Sequence, residues 1–232
     1  MSPPSSRGEP LRLGSAPVLA RWTTRIDGDL ALDRTGAPCP QRRRAVLDRP
    51  WSWLRQVHGD QVRIVSYAGE CTGMPGDALV SSDSLGCLAV FSADCPTVAL
   101  ASSEGVMGAV HAGWRGLMAG VVQAAAKTMR GLGATDIQGA LGPCIGPECY
   151  QFSARELDEV VVRFGPSVRA TTTSGQAALD LGEMVRLASV AADAELVPTG
   201  SSCTACSSDY FSHRARADQG RQALVVWRPV MS

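Results

Sequence analysis

Short apolar runs dominate the chain, and they predict strands more often than helices. PVLARWTTR at 17–25 reads as a first strand followed by a polar turn. WSWLRQV at 51–57 and VRIVSY at 62–67 are rich in β-forming residues and are separated by HGDQ, a hairpin-like turn signal. ALVSS at 78–82, CLAVFSAD at 87–94 and TVALAS at 97–102 predict further strands, the last two parted by Pro96. VMGAVHA at 106–112 predicts a strand ending at Gly113, DIQGALG at 136–142 runs into a Gly/Pro turn, and QALVVW at 222–227 closes the chain.

Helical signals are fewer. QRRRAVLD at 41–48 reads as a short helix. Residues 116–130 are Ala-rich, carry Lys127 and Arg130 late and are followed by Gly131, as a helix C-terminus requires. Ser153 and Glu156 form a capping-box pattern that opens a helix to about Phe164, and 179–194 predicts a third long helix. Strands come in consecutive groups, and neither a fixed-period repeat nor a linker divides them. The expected fold is one α+β domain over residues 17–232, with mixed β-sheets covered by helices.

Composition narrows the function classes. A chain of 232 residues, 45% hydrophobic and 19% charged, can bury a core without disulfides. Its 22 basic residues cancel 22 acidic ones, which gives no case for a nucleic-acid or membrane partner. The arginines at 42–44 read as a solvated helix face rather than a polyanion site. No apolar run approaches the roughly 18–20 residues that span a bilayer. Residues 1–16 are rich in Pro, Ser and Gly without an apolar segment, so they read as a disordered tail rather than a signal peptide, and the expected compartment is the cytoplasm. There the eight cysteines are expected as buried thiols, metal ligands or nucleophiles rather than disulfide partners.

Only three histidines are present, and two end predicted strands in glycine-flanked settings: His58 in RQVHGD and His111 in AVHAGWRG. Between them Cys95 follows Ser-Ala-Asp and precedes Pro96. Their spacing is far too long for a zinc finger and suits ligands delivered by separate strands. Imidazole and thiolate suit a borderline-soft ion such as zinc. Three protein ligands leave a coordination position open, the mark of a catalytic rather than a structural ion. Gly59 and Gly113 would let a substrate approach the backbone. On spacing alone, each histidine can equally be a satisfied core residue and Cys95 a small hydrophobe.

The segments QVHGDQV (56–62), DALVSS (77–82), FSADCPTVAL (91–100), GAVHAGWRGL (108–117), LGPCIGPECYQF (141–152) and GRQALVVW (220–227) together resemble the YfiH family. This is also called the laccase-domain or multicopper polyphenol oxidoreductase family, and it includes bacterial purine nucleoside phosphorylases and a peptidoglycan editing factor. The resemblance runs from about Val18 to the C-terminus. It implies an α+β fold of β-sheets layered between helices, and zinc held by His58, Cys95 and His111. It also implies phosphorolysis of adenosine, inosine, guanosine and methylthioadenosine, with deamination of adenosine.

Four further residues are candidates for substrate contacts. Arg115 opens the 116–130 helix and is either a phosphate or ribose contact or a side chain stacked on Trp114 or in a salt bridge. Arg25, ending the first strand, matches a family TTR segment near the pocket and is a second anion-binding candidate. Asp94, beside Cys95, either orients an imidazole or serves a cap or turn, and Asp60 carries the same ambiguity. His213, in a family-like Phe-Ser-His-Arg segment, is expected at the outer pocket and not as a ligand. Cys203 reads as structural or pocket-lining, and Cys206 as incidental, since one CxxC makes no zinc ribbon. Asp29 stands where relatives usually carry Asn, which exchanges an amide donor for a negative charge.

The leading reading is a zinc-dependent purine nucleoside phosphorylase with adenosine deaminase activity. An amidase editing UDP-muramyl-L-Ser precursors would use the same three residues. Copper remains a possible ion, but a dedicated multicopper oxidase needs more histidines than three. A non-enzymatic zinc-binding module would require a fourth protein ligand.

Overall fold

The computed structural model describes residues 9–13, 18–33, 35–200 and 202–229. Two six-stranded sheets pack face to face. The first contains β1 (Leu11–Leu13), β2 (Val18–Trp22), β3 (Trp51–Arg55), β5 (Met74–Pro75), β7 (Cys87–Ser92) and β14 (Gln222–Trp227), in the order β1-β2-β14-β7-β3-β5. The second contains β4 (Val62–Val65), β6 (Ala78–Ser81), β8 (Thr97–Ser102), β9 (Met107–His111), β10 (Ile137–Leu141) and β13 (Ala194–Val197), in the order β13-β10-β8-β9-β6-β4. A small ribbon pairs β11 (Arg169–Thr171) with β12 (Ala177–Leu179).

The expected α+β domain with sheets layered between helices is what forms, and strand alternation explains it. Leu88, Val90, Leu224 and Val226 point into the interface between the sheets, where they meet Leu79, Ala99, Ala101 and Ala109 of the second sheet. Their neighbours Cys87, Ala89, Phe91, Ala223, Val225 and Trp227 point the other way, onto Leu30, Trp51 and Trp53, under α1 (Pro40–Val46). The outer face of the second sheet, with Val98, Leu100 and Val110, is covered by α3 (Val121–Gly131), α4 (Ala154–Phe164) and α5 (Leu181–Ala191). Strands buried on both faces read as continuous apolar runs, which is why β7, β8 and β14 were legible in sequence. Each fully buried Leu or Val contributes about 1.5–3 kcal/mol by leaving water.

Four expectations about elements are corrected. The runs at 51–57 and 62–67 do not form a hairpin: β3 pairs parallel with β7 in one sheet, and β4 pairs parallel with β6 in the other. The HGDQ turn therefore crosses between sheets. The helix expected at 116–130 is two helices, α2 (Trp114–Ala119) and α3, because Gly120 adopts a left-handed φ of 98°. The helix expected at 179–194 is shorter, since Asp180 caps α5 by accepting from the Glu183 N–H at 2.9 Å while β12 and β13 occupy the flanks. The first strand stops at Trp22, because Thr24 caps a 3-10 turn over Arg25–Asp27.

Of the expected tail, residues 1–8 and 14–16 lie outside the described residues, while Leu11–Leu13 pairs antiparallel with Val18–Ala20. Ser153 caps α4 as its sequence predicts. No helix among the described residues is long and apolar enough to cross a membrane.

Candidate metal centre

Three strand ends deliver the candidate ligands to one point. β8 and β9 are antiparallel with Thr97 opposite His111, so Cys95, two residues before Thr97, comes beside His111. His58 arrives from the crossing after β3. That segment is tied to β7 by Gln56, whose side-chain amide donates to the Phe91 carbonyl and accepts the Phe91 N–H, both at 2.7 Å. Gln56 thus extends the ladder by one rung after the backbone has stopped pairing. The donor atoms of His58, Cys95 and His111 all lie within 4.8 Å of one another, with Cys95 Sγ 4.0 Å from His58 Nε2 and the imidazoles edge to face.

A buried carboxylate, that of Asp77, organises this centre. Its Oδ1 lies 2.8 Å from His111 Nδ1 and also accepts the His58 N–H at 2.9 Å. Its Oδ2 accepts the N–H groups of Val57 at 3.2 Å and Gly59 at 2.8 Å. His58 holds a left-handed φ of 59°, a conformation costing a non-glycine residue on the order of 1–3 kcal/mol, and three N–H bonds to one carboxylate maintain it. With Nδ1 committed to Asp77, His111 has Nε2 left as the nitrogen that could face a metal ion.

Electrostatics follow from this arrangement. Burial pushes the Asp77 pKa up, but hydrogen bonds from His111 and the Gly59 and His58 amides outweigh it and hold the carboxyl below its ordinary value. Burial lowers the His111 pKa, yet Asp77 and Cys95 together raise it to about 9. Burial likewise opposes a Cys95 thiolate, but bonds from His111 and His58 bring its pKa down to about 6. A thiolate held ready between two imidazoles is the donor set a borderline-soft cation requires, so these residues fit a metal ion. Among the described residues no fourth His, Cys, Asp or Glu joins them.

Gly113 makes room for the candidate ligands rather than for an approaching substrate. A Cβ there would meet His58 Cδ2 at 3.0 Å, Cys95 Sγ at 3.4 Å and His111 Cε1 at 3.5 Å. The three ligands open onto a cleft of about 570 Å³, lined among others by Leu32, Leu54, Arg55, Gln56, Phe91, His213 and Arg221. His213 is among the residues lining that cleft, with Nδ1 3.4 Å from the Asp218 carbonyl.

Three other candidates do not line the cleft. Asp94 orients no imidazole: its carboxylate accepts the Thr204 hydroxyl and the Arg214 N–H, each at 2.7 Å, and pins the loop that carries His213. Arg115 is stacked 4.2 Å over Trp114, faces Glu156 at 3.6 Å and is 62% exposed, so the stacked and paired alternative is the one that forms. Arg25 lies in the 3-10 turn, bonded to Asp218 and to the Tyr210 carbonyl and lying over Phe211; it does not line the cleft. Asp60 is exposed. Asp29 accepts the N–H groups of Ala31 at 2.7 Å and Arg221 at 2.9 Å, an acceptor role that an Asn oxygen fills equally.

Sequence reasoning missed Asp77 and Gln56. Both stand inside segments that carry the family resemblance, but only the folded sheets show that one carboxylate serves both histidines.

These features define a candidate metal centre whose donors come from strand ends of two packed sheets. The chain belongs to the family described as multi-copper polyphenol oxidoreductase laccase, which it matches over residues 40–229. It is 36% identical over 178 residues to a purine nucleoside phosphorylase of Mycobacterium bovis, covering 75% of this chain and 71% of that protein. It is 33% identical over 220 residues to the purine nucleoside phosphorylase YlmD of Geobacillus stearothermophilus, covering 84% and 80%. The crystal structure of that YlmD superimposes with a TM-score of 0.76 over 92% of each chain. A hypothetical protein YfiH of Bacillus licheniformis superimposes with a TM-score of 0.76 at 25% identity, over 91% of this chain and 93% of that one.

Proposed function

We propose that this chain is a zinc-dependent purine nucleoside phosphorylase, splitting adenosine, inosine, guanosine or methylthioadenosine with phosphate and also deaminating adenosine. The observation that carries the reading is the three-donor centre of His58, Cys95 and His111 at the base of a nucleoside-sized cleft. The naming of relatives at 33–36% identity supports the same substrate class. A zinc ion held by those residues supplies Lewis-acid stabilisation of developing negative charge.

The rest of the work falls to the cleft. Leu32, Leu54 and Phe91 offer an apolar wall for the purine. Arg55 and Arg221 supply guanidinium groups for phosphate. Arg221 Nη1 is held by the carbonyls of Asp218, Gln219 and Gly220, which fixes where the remaining nitrogens point. In phosphorolysis a phosphate oxygen bonds to C1′ as the N-glycosidic bond breaks, and its electron pair leaves with the purine. His213 Nδ1 faces the Asp218 carbonyl, so in the neutral imidazole Nε2 is the nitrogen free to take a proton from phosphate and return it, directly or through water, to the departing purine. Deamination rests on the family resemblance alone. A cytoplasmic setting belongs to the same proposal, supported by eight cysteines that are all free thiols.

Incubating purified, metal-defined protein with inosine and phosphate tests this. Phosphate-dependent release of hypoxanthine and ribose 1-phosphate is expected, and adenosine is expected to give inosine. Inert nucleosides alongside hydrolysis of UDP-muramyl-L-Ser would replace the reading with amide editing.

A further inference from the structure

A second cluster of metal-binding side chains lies away from the cleft. Glu148, Cys149, Cys203 and Cys206 place one ligand atom each within 4.8 Å of one another. They come from two distant segments: a 3-10 turn over Pro147–Cys149, and the CTAC loop at 203–206. Cys149 Sγ and Cys206 Sγ are 3.4 Å apart, and Cys206 Sγ is 3.5 Å from Glu148 Oε1. A tetrahedral zinc with Zn–S bonds of about 2.3 Å has S···S edges of roughly 3.8 Å, so the four atoms already approximate the coordination polyhedron.

The surroundings are those of a thiolate site. The Gly146 N–H donates to Cys203 Sγ at 3.1 Å, the kind of bond that stabilises a coordinated sulfur. The Thr204 N–H binds the Cys144 carbonyl and the Ser207 N–H binds the Cys203 carbonyl, each at 3.0 Å, closing the loop on the 144–149 segment. The Arg216 guanidinium donates to the carbonyls of Thr204, Ala205, Ser207 and Tyr210, which braces the loop that carries Cys203 and Cys206.

We propose that Glu148, Cys149, Cys203 and Cys206 form a second, four-ligand zinc site that clamps the 203–216 loop to the 144–149 segment. Four protein ligands leave no open position, so its role is structural. It acts on the cleft through the loop it holds, since Thr204 and Arg214 bond Asp94 and His213 lines the pocket. Binding releases protons from the three thiols and forms three Zn–S bonds and one Zn–O bond, with no change of oxidation state.

The test is zinc content of the full-length protein purified in reductant and saturated with Zn²⁺. The wild type is expected to hold two equivalents, while Cys206→Ser and Cys149→Ser each hold one. Cys206 is exposed, so its replacement opens no cavity in the core, and far-ultraviolet circular dichroism checks that the variant is folded. Cobalt substitution is the second readout: sulfur-to-cobalt charge-transfer absorption should fall sharply in Cys206→Ser but keep the smaller Cys95 contribution. One equivalent in the wild type, unchanged in Cys206→Ser and lost in Cys95→Ala, would overturn the proposal. A Cys149–Cys206 disulfide found by mass spectrometry in that reduced, zinc-saturated sample would overturn it as well.

Discussion

Asp77 Oδ1 stands 2.8 Å from His111 Nδ1 and accepts the backbone N–H of His58 at 2.9 Å, so one buried carboxylate aims one candidate ligand and positions the backbone of another. Asp77→Asn keeps the shape but puts an NH₂ against N–H donors on one side. A 10–100-fold loss of metal affinity is expected, of the order seen when a group supporting a metal-bound imidazole is removed. Competition with a chromogenic chelator measures it, and unchanged affinity would detach Asp77 from the centre.

The close approach at Gly113 makes a sharper prediction. Its φ of −58° is open to any residue, so Gly113→Ala adds no backbone strain. The added methyl instead meets the His58 ring at 3.0 Å. Metal affinity should fall at least about tenfold while the far-ultraviolet circular dichroism stays that of the wild type. A loss of folded structure instead would place the cost in the backbone.

Cys95 gives a pH signature in metal-stripped protein. Its thiol pKa is depressed to about 6, so the thiolate persists above that value and is lost as pH falls through it. The stability this shift contributes follows the same direction, present at alkaline pH and disappearing toward pH 6. Alkylation by iodoacetamide, mapped by mass spectrometry, should show a midpoint near 6 at Cys95. In Asp77→Asn the His111 imidazolium loses the carboxylate that favours it, so the Cys95 midpoint should rise.

The two arginine classes separate by kinetics. Arg115 stacks on Trp114 at the surface, and Arg115→Ala should change stability by less than about 1 kcal/mol and leave KM for phosphate unchanged. Arg221→Ala removes a guanidinium from the cleft and should raise KM for phosphate about tenfold. The reverse pattern in steady-state assays would return the anion site to the start of α2.

Local signals in the sequence suffice where one segment decides the outcome. β7, β8 and β14 are apolar on both faces because both faces are covered, and Ser153 caps α4 through a bond three residues long. Failures came where a distant partner decides. Nothing within 51–67 says that β3 and β4 join different sheets, which is the event that brings His58 to Cys95. Asp94 adjoins a ligand in sequence but bonds Thr204 and Arg214, whereas Asp77, remote from both histidines along the chain, serves them. Cys206 lies 58 and 57 residues from Glu148 and Cys149, so their proximity is not readable from either segment alone. His58, Cys95 and His111 are candidates in sequence because they stand at strand ends beside glycine and polar residues, and the family resemblance is what joins them into one set.

Metal content and phosphorolysis, measured together on native protein and on Cys95→Ala, test the central claim most directly. If His58, Cys95 and His111 hold a catalytic ion, the substitution removes one metal equivalent and the phosphate-dependent cleavage of inosine together. Full phosphorolysis after that equivalent is gone, or an unchanged metal content, would contradict it.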